Sequence, residues 1–295
     1  MLQNYLLEIN GRPAGRFFDF AGGTAAADIV QTSGGFGHKH VGSVKFQDMV
    51  LTCGTGMSGD FYKWIGDNLA GAPSRRGGAI VALDTKQAPS ARLEFMHALI
   101  SSLVLPELDA AGNKAAYMTV GITPEITRPT ETEKSATLGV YVSKLPKAWN
   151  ISDFRLKIDG LEKECAHVKH IDSLKLGQKI VTDARGESRE YTKEPTSTEY
   201  PDLVISLPES FATGFYSWFD DSVIKGNIGP GSVKRGTLEF FAPNSSKPYF
   251  GLELTGLGIK AAQGPSGLRG KTGLPVTVEM FCDSMKFYAG PSAIM

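Results

Sequence analysis

The segment CGTGMSGDFYKWIGDNLAG, residues 53–71, sets the main question about the fold of this chain. Three of its glycines match G-x-G-x-x-G, the pattern of dinucleotide-binding turns: they are Gly54, Gly56 and Gly59. The residues that follow repeat an apolar side chain at i, i+3, i+4 and i+8, which predicts one apolar stripe on a helix. These residues are Phe61, Trp64, Ile65 and Leu69. The segment is therefore either a cofactor turn or a structural turn that leads into an amphipathic helix.

The chain repeats this segment in its second half. FYKW at 61–64 returns as FYSW at 215–218, 154 residues later, and the apolar MVLT at 49–52 stands opposite LVIS at 203–206 at the same offset. The second stripe consists of Phe215, Trp218, Phe219 and Val223. The glycines, in contrast, do not return, because SLPESFATG occupies their place. A turn that is kept without its glycines is a structural turn, so no cofactor is predicted. An enzyme that binds a nucleotide cofactor at these glycines stays a weak alternative.

Further matches extend the repeat to most of the chain. LLEING ending at Gly11 matches RLKIDG ending at Gly160, and Arg76 matches Arg235. The order of the matches is kept, and the offset grows in steps of about five residues, as short insertions would cause. Internal repeats of this kind predict a tandem duplication. The predicted first repeat covers residues 1–128, residues 129–150 form a linker or bridging strand, and the second repeat covers 151–295.

Each repeat is rich in short alternating segments bounded by glycine and proline, which favours antiparallel strands. The prediction is an α+β, mainly β fold with two tandem antiparallel β-barrels or sandwiches, each with one short flanking helix. VKFQDMVLT at 44–52 is predicted to be one strand whose inward positions include Val50 and Thr52. Ser58 or Asp60 is expected to cap the first helix and Thr213 the second.

Composition excludes several classes of protein. Lys and Arg together number 31, as do Asp and Glu, so the net charge of zero argues against a dedicated nucleic-acid site. Three distant cysteines indicate reduced thiols and cytoplasmic assembly. No stretch approaches the roughly 20 apolar residues that a membrane-spanning helix needs, so no membrane segment is predicted.

One cluster of metal-ligating types invites a zinc hypothesis. Cys165, His167 and His170 form C-x-H-x-x-H, and His38 and His40 stand elsewhere in the chain. On the strand predicted for residues 163–170, the side chain of His170 points away from the other two, so no metal site is predicted. No nucleophile with a base and an acid partner is evident either, so no catalytic residues are predicted.

In their order, these segments resemble the tail tube proteins of contractile phages and phage-tail-like contractile injection systems, relatives of the haemolysin co-regulated tube proteins. The first repeat carries the resemblance and the second matches it more weakly. The residues that carry it are Ile9–Gly11, His40–Leu51, Gly54, Phe61–Trp64, Arg75–Gly77, Leu93–Phe95 and Pro106–Ala110. The resemblance implies a non-enzymatic structural protein, a β-barrel with a flanking helix that forms hexameric rings. In that family the rings stack into a hollow tube inside a sheath, within a phage tail or similar particle.

Two repeats in one chain depart from the single repeat usual in this family. A trimer of this chain would present six barrels, as would a trimeric hub that joins a sixfold tube to a threefold spike, whereas a hexamer would form two layers. A tube-initiating or adaptor layer near the baseplate is therefore expected, with other tube subunits, sheath and baseplate or spike proteins as partners. Segments 22–41 and 180–200 are expected to be exposed hairpins that stack rings. The basic residues after each helix are expected to contact neighbouring subunits: Arg75, Arg76, Lys234 and Arg235.

Overall fold

The structure is a computed structural model. It describes residues 4–31, 38–132, 147–183, 191–229, 231–241, 245–264 and 274–291. Within these ranges no helix is long and apolar enough to cross a membrane. Most of the predicted linker, together with parts of the two predicted stacking segments, lies outside the described residues.

The chain alternates strands with a few short helices. The elements up to residue 130 are β1 Asn4–Ile9, β2 Arg12–Phe17, β3 Asp19–Gly22, β4 Ala25–Gln31, β5 Lys39–Phe46, β6 Met49–Cys53, α1 Gly59–Leu69, β7 Arg76–Leu83, β8 Pro89–Leu105, β9 Leu108–Asp109, β10 Ala115–Ala116, β11 Met118–Thr123 and β12 Ile126–Thr130. The later elements are β13 Trp149–Asn150, β14 Phe154–Ile158, α2 Glu162–Cys165, β15 His170–Ile171, β16 Leu174–Asp183, β17 Thr192–Glu199, β18 Leu203–Pro208, α3 Thr213–Phe219, β19 Lys234–Phe241, β20 Pro248–Gln263 and β21 Pro275–Ala289. A 3₁₀ turn precedes α3 at Glu209–Phe211, and a π-helical turn follows it at Asp220–Ile224. This mainly β composition confirms the predicted fold class.

The chain divides into two compact units, and neither is one continuous segment. The first compact unit consists of Met1–Ser102, Thr119–Pro146 and Gln178–Thr198. The second consists of Leu103–Met118, Lys147–Gly177 and Glu199–Met295. The hairpin β16–β17 thus belongs to the first compact unit, although in sequence it lies in the predicted second repeat. The division of the sequence at residues 128 and 151 stays a prediction about the repeat.

In the first compact unit, a sheet runs in the order β2-β1-β7-β8-β11-β6-β3, with β12 and β16 also pairing with β8. β1 pairs antiparallel with β2 and β7, and β6 pairs antiparallel with β3. Hairpin β4–β5 forms a separate two-stranded sheet. The core lies where the apolar faces of these strands meet α1. It includes the fully buried Leu7, Phe17, Leu51, Phe95 and Val120.

In the second compact unit, a seven-stranded sheet runs in the order β14-β19-β20-β21-β18-β15-β9. β14 pairs antiparallel with β19, and β20 pairs antiparallel with both β19 and β21. The core between this sheet and α3 is aromatic. Trp149 packs edge-on against Phe250, and the rings of Phe240 and Phe250 stack with centroids 4.8 Å apart.

The prediction of one strand over residues 44–52 is wrong. β5 ends at Phe46 and β6 begins at Met49, so two residues separate the strands. This break shifts the alternation by one residue, because successive side chains of a strand point to opposite faces. Met49 and Leu51 are therefore fully buried, whereas Val50, expected to point inward, is 42% exposed.

The predicted strand at 163–170 is also wrong. Residues Glu162–Cys165 form the short helix α2, and only His170 of this segment lies in a strand. The helix begins just after Gly160, whose φ of +76° lets the chain turn sharply. The alternation of polar and apolar residues does not predict this helix, because the direction of the chain here is set by the turn at Gly160.

Candidate functional site

Each compact unit contains a corner built from a helix, a turn and the first residues of a strand. The first corner consists of α1, residues 70–75 and the start of β7. The second consists of α3, the π-turn, residues 225–233 and the start of β19; residue 230 lies outside the described residues. These corners hold most of the residues that the sequence singles out.

A tryptophan holds each corner together. In the first, the indole N–H of Trp64 donates to the carbonyl oxygen of Ser74 at 2.8 Å. In the second, the indole N–H of Trp218 donates to the carbonyl oxygen of Ser232, also at 2.8 Å. Buried indoles need a partner for this N–H, so the bond fixes the turn to the helix. The same bond therefore forms in both units, although Ser232 follows Trp218 by 14 residues and Ser74 follows Trp64 by 10.

The apolar stripe of α1 faces the core along its whole length. All four predicted positions have no exposed surface: Phe61, Trp64, Ile65 and Leu69. Ser58 caps the helix, because its hydroxyl accepts the N–H of Phe61 at 3.3 Å. The choice left open between Ser58 and Asp60 is thereby settled in favour of Ser58.

The apolar stripe of α3 is buried over fewer residues than the stripe of α1. Phe215 and Trp218 are buried, Phe219 is half-buried, and Val223 is 45% exposed, so the prediction of a core position at Val223 is wrong. The cause is the π-turn, in which the N–H of Lys225 bonds the carbonyl oxygen of Asp220 at 2.9 Å. The wider turn rotates later residues away from the core. Thr213 does not cap α3 either, because Ala212 occupies the cap position without a side-chain bond.

Asn68 ties the first corner to its surroundings. This fully buried side chain donates to the carbonyl oxygen of Trp64 at 2.9 Å and accepts the N–H of Ile100 at 3.3 Å. Gln178 of β16 donates to the carbonyl oxygen of Asn68 at 3.0 Å. At the counterpart position, 154 residues later, Ser222 has a buried hydroxyl with no partner among the described residues. The first corner thus contains an amide network around Asn68, and the second corner lacks it.

A glycine brings the first strand of each repeat against the strand that leaves the corner. A Cβ on Gly78 would collide with the carbonyl oxygen of Glu8 and the ring of Phe95. A Cβ on Gly236 would collide in the same way with the carbonyl oxygen of Lys157. These glycines are needed for close approach of two backbones, not for an unusual φ.

A β-bulge also occurs at matching places. Arg76 pairs with Ala98 and Gly78 with Phe95, so β8 carries one residue more than β7 across this interval. β19 and β20 show the same shift between Lys234 and Gly236. The residues at the bulges have positive φ, +51° at His97 and +66° at Gly256. The side chain of His97 is exposed.

The predicted subunit-contact residues have partners within their own units. The guanidinium of Arg75 lies 2.8 Å from the carboxylate of Glu194 and 3.4 Å from that of Glu125. Hydrogen bonds and charge from these carboxylates, Glu194 foremost, raise the pKa of Arg75 against the opposing effect of burial. A role for Arg75 between subunits stays a prediction, and its geometry shows a role in holding β17.

The remaining basic residues divide into two kinds. Arg76 lies over the Trp64 ring at 5.9 Å and Lys234 over the Trp218 ring at 5.4 Å, both within cation–π range. Lys234 also donates to the carbonyl oxygen of Asp159 at 3.2 Å. The side chain of Arg235 is exposed and forms no ion pair within the described part of the chain.

The glycine-rich turn is packed against β2. The amide of Ser58 donates to the carbonyl oxygen of Ala14 at 2.7 Å, and the amide of Phe61 is taken by the Ser58 hydroxyl. The carbonyl oxygen of Gly54 accepts the hydroxyl of Tyr62 at 3.2 Å. A dinucleotide turn instead presents free amides at the helix N-terminus, after a parallel strand. Here two of those amides are occupied, and β6 pairs antiparallel with β3.

The proposed zinc ligands do not converge. Burial raises the pKa of the Cys165 thiol to about 12, which disfavours the thiolate that binds metal. The ring of His167 stacks on Phe211, and His170 contacts Asp172 at 3.1 Å. Across the residues with described placement, no group of three or more His, Cys, Asp or Glu side chains could hold a metal ion.

Comparison with protein families gives a match in the first part of the chain. Residues 3–126 match the family of the T4-like virus tail tube protein gp19. This part of the chain is similar to the tail tube family. The match ends close to residue 128, the predicted end of the first repeat. A search of curated proteins finds no match.

Several solved tube-type structures overlap less than half of the chain. The PVC sheath–tube complex of an extracellular contractile injection system in its extended state is 15% identical, with 43% of this chain and 88% of the other covered at a TM-score of 0.38. A chain of the anti-feeding prophage baseplate is 17% identical, with 44% and 92% covered at 0.36. Hcp1 from Flavobacterium johnsoniae is 13% identical, with 45% and 97% covered at 0.28.

Sequence reasoning missed three kinds of residue in the tail tube region and its counterpart. These are the serines whose carbonyl oxygens bind the indoles, Asn68, and the glycines at the close strand approach. Ser74 lies two residues before Arg76, and Ser232 lies two residues before Lys234. An alignment of the two halves at an offset of 158 residues would therefore have paired the two serines. Asn68 gives no such signal, because its counterpart is a serine.

Proposed function

We propose that this chain is a structural, ring-forming subunit of a phage tail tube or of the inner tube of a contractile injection system, with two tube-type units in tandem. The observation that carries the proposal is the match of residues 3–126 to the tail tube family. The repeated indole bond at 2.8 Å supports extending the tube-type assignment to the second half.

The two-unit chain fits a layer at the end of a tube better than the repeating tube wall. A trimer supplies six units with pseudo-sixfold symmetry, which lets one ring face a sixfold tube on one side and a threefold structure on the other. We therefore favour a tube-initiating or adaptor layer near the baseplate. A trimeric hub between tube and spike is the second candidate, and the same count of six units favours it.

The proposed partners follow from this position. They are further copies of the chain in the ring, tube subunits stacked on it, and sheath and baseplate or spike proteins around it. Assembly takes place in the cytoplasm, and the mature protein lies in a phage tail or phage-tail-like particle.

An enzyme using the Gly54 turn is disfavoured by the geometry of the turn. The amides of Ser58 and Phe61 would have to give up their present acceptors to bind a phosphate. A structural role is favoured because these bonds join the turn, β2 and α1 into one core.

Negative-stain microscopy of the purified full chain tests the proposal. We expect rings with six lobes and a central channel, and native mass spectrometry should give a mass of three chains for a single layer. Six chains would favour the two-layer arrangement over the trimer. A monomer at all concentrations, or one that co-purifies with flavin or nicotinamide absorbance, would overturn the structural role.

A further inference from the structure

Two hairpins at matching places in the sequence have different surroundings. Ile29 and Val30 of β4 correspond to Ile180 and Val181 of β16, 151 residues later, and Lys39 of β5 corresponds to Lys193 of β17, 154 residues later. Hairpin β16–β17 is docked on the first compact unit. Hairpin β4–β5 pairs with no third strand among the described residues.

The docked hairpin is held at both of its strands. β16 pairs with β8 in the ten-stranded sheet, and Gln178 is buried against Asn68. In β17 the backbone N–H of Lys193 donates to the carboxylate of Glu125 at 3.0 Å, and its carbonyl oxygen accepts from Arg75 at 2.7 Å. This docking leaves the Glu125 side chain only 12% exposed.

The counterpart positions of hairpin β4–β5 are exposed. Ala27, which corresponds to Gln178, is exposed. Ile29 and Val41 stand directly opposite each other across the hairpin and are 72% and 73% exposed. Large aliphatic side chains paired on an open β-ribbon are typical of a surface that another sheet covers.

The second compact unit carries the counterpart of the receiving surface, and it is open. Pairing of β19 with β20 ends at Leu257, so residues 258–263 of β20 pair only with β21 among the described residues. In the first compact unit, pairing of β7 with β8 likewise ends at Ala98, which corresponds to Leu257. There, however, β8 also pairs with β16. An unpaired strand edge of this kind is a template for a further strand.

A carboxylate on the open surface of the second compact unit stands at the counterpart of Glu125. Arg128 pairs with Glu94, and Lys286 pairs with Glu253 in the corresponding ladder, which places Asp283 at the counterpart of Glu125. Asp283 is exposed, whereas Glu125 is covered by β17. In the docked hairpin the backbone N–H of Lys193 donates to the Glu125 carboxylate, and the backbone N–H of an approaching Lys39 would donate to Asp283 in the same way.

We propose that hairpin β4–β5 of one copy docks on the second compact unit of a neighbouring copy. β4 pairs with the open edge of β20 at residues 258–263, and the backbone N–H of Lys39 donates to the carboxylate of Asp283. The docked β16–β17 hairpin is the template for this contact. The inference rests on the proposed ring-forming function and gives the hairpin a lateral role in the ring, in place of the stacking role that the sequence alone predicts.

The contact explains how a ring closes. The hairpin belongs to the first compact unit and the receiving edge to the second, so the interface joins two different surfaces. Such a heterologous contact leaves one surface free on each end of an open oligomer, and a closed ring satisfies them all.

Removal of the acceptor in the full chain tests the contact. Asp283→Ala and Asp283→Lys each take away the carboxylate that accepts the backbone N–H of Lys39, and each should raise the protein concentration for half-assembly at least about tenfold. Matched controls are Asp172→Ala and Asp172→Lys, which change an exposed carboxylate outside the proposed contact.

A crosslinking measurement locates the contact directly. A photo-reactive benzoylphenylalanine in place of Ile29 should crosslink to residues 257–263, and mixing ¹⁴N- and ¹⁵N-labelled chains should show that the linked peptides come from different copies. Ile29 is exposed, so this substitution leaves folding intact.

The outcomes separate this inference from the proposed function. Rings that survive both Asp283 substitutions, or crosslinks from position 29 that stay within one chain, would overturn the hairpin contact and leave the ring-forming role standing. A wild-type chain that never assembles would overturn both. Asp283 variants that fail to assemble, together with crosslinks from position 29 to residues 257–263 of another copy, would establish the contact.

Discussion

The two helix corners solve the same packing problem with different amounts of support. In the first corner, Trp64 has no exposed surface and lies over a six-residue turn tied by Asn68. In the second, Trp218 is 7% exposed, the helix widens into a π-turn, and the position of Asn68 is held by Ser222. The indole bond to a serine carbonyl is common to both.

This difference distinguishes the contacts that both corners share from those that only the first corner has. The buried aromatic face, the indole bond and the cation above the ring occur in both corners, so they define the fold locally. The amide network and the short turn occur only in the first, where they also receive Gln178 from the docked hairpin. We infer that the extra support belongs to hairpin docking and not to the corner itself.

The largest expected effect comes from removing the indoles. Trp64→Ala should lower the free energy of unfolding by about 3–5 kcal/mol, because it leaves a cavity in a rigid core. Trp218→Ala should cost less, since the longer turn beside it can collapse into the space. Urea denaturation followed by circular dichroism measures both. Equal losses of unfolding free energy in the two variants would contradict the difference between the corners. Trp64→Phe and Trp218→Phe keep an aromatic ring but remove the indole N–H, so they separate the effect of ring volume from that of the hydrogen bond.

A smaller loss of stability is expected at Asn68, whose counterpart in the second corner is Ser222. Asn68→Ala should cost about 1–3 kcal/mol, because the buried amide of Ile100 loses its acceptor. Ser222→Ala should be neutral or slightly stabilising, since its buried hydroxyl has no partner among the described residues. The same denaturation experiment decides. In the Asn68 variant, hydrogen exchange should also speed up in β16; unchanged exchange there would separate Asn68 from hairpin docking.

The smallest effect concerns the cations over the indoles. Arg76→Gln and Lys234→Gln should each cost about 0.5–1 kcal/mol, the range of exposed cation–π contacts. Arg235→Gln is the matched control, and we expect its stability to change by less than about 0.5 kcal/mol. If Arg235→Gln weakened ring assembly with stability unchanged, the predicted subunit contact would be located there.

Sequence patterns predicted the parts of the fold that depend on local spacing. The stripe in α1 and the mainly β class follow from periodicities of 3.6 and 2 residues, which burial on one face imposes. The same reasoning failed at Val50 and Val223 because each lies beyond an irregularity, a two-residue break and a π-turn. One extra residue in a turn changes the face of every residue after it, and spacing alone gives no sign of that insertion.

Tertiary structure decided which partner each repeated element meets. Two hairpins of matching sequence lie in different surroundings, one buried against Asn68 and Glu125 and the other exposed at Ile29 and Val41. Strand pairing between distant segments depends on which edge is open and on where the chain can reach. The sequence by itself determined the mainly β class and the buried tryptophan helices, and the repeat stays a prediction. Only the tertiary structure shows that β16–β17 belongs to the first compact unit and that the edge of β20 is open. The reason is that strands pair through backbone hydrogen bonds, and the side-chain sequence does not specify which strand a given edge will meet.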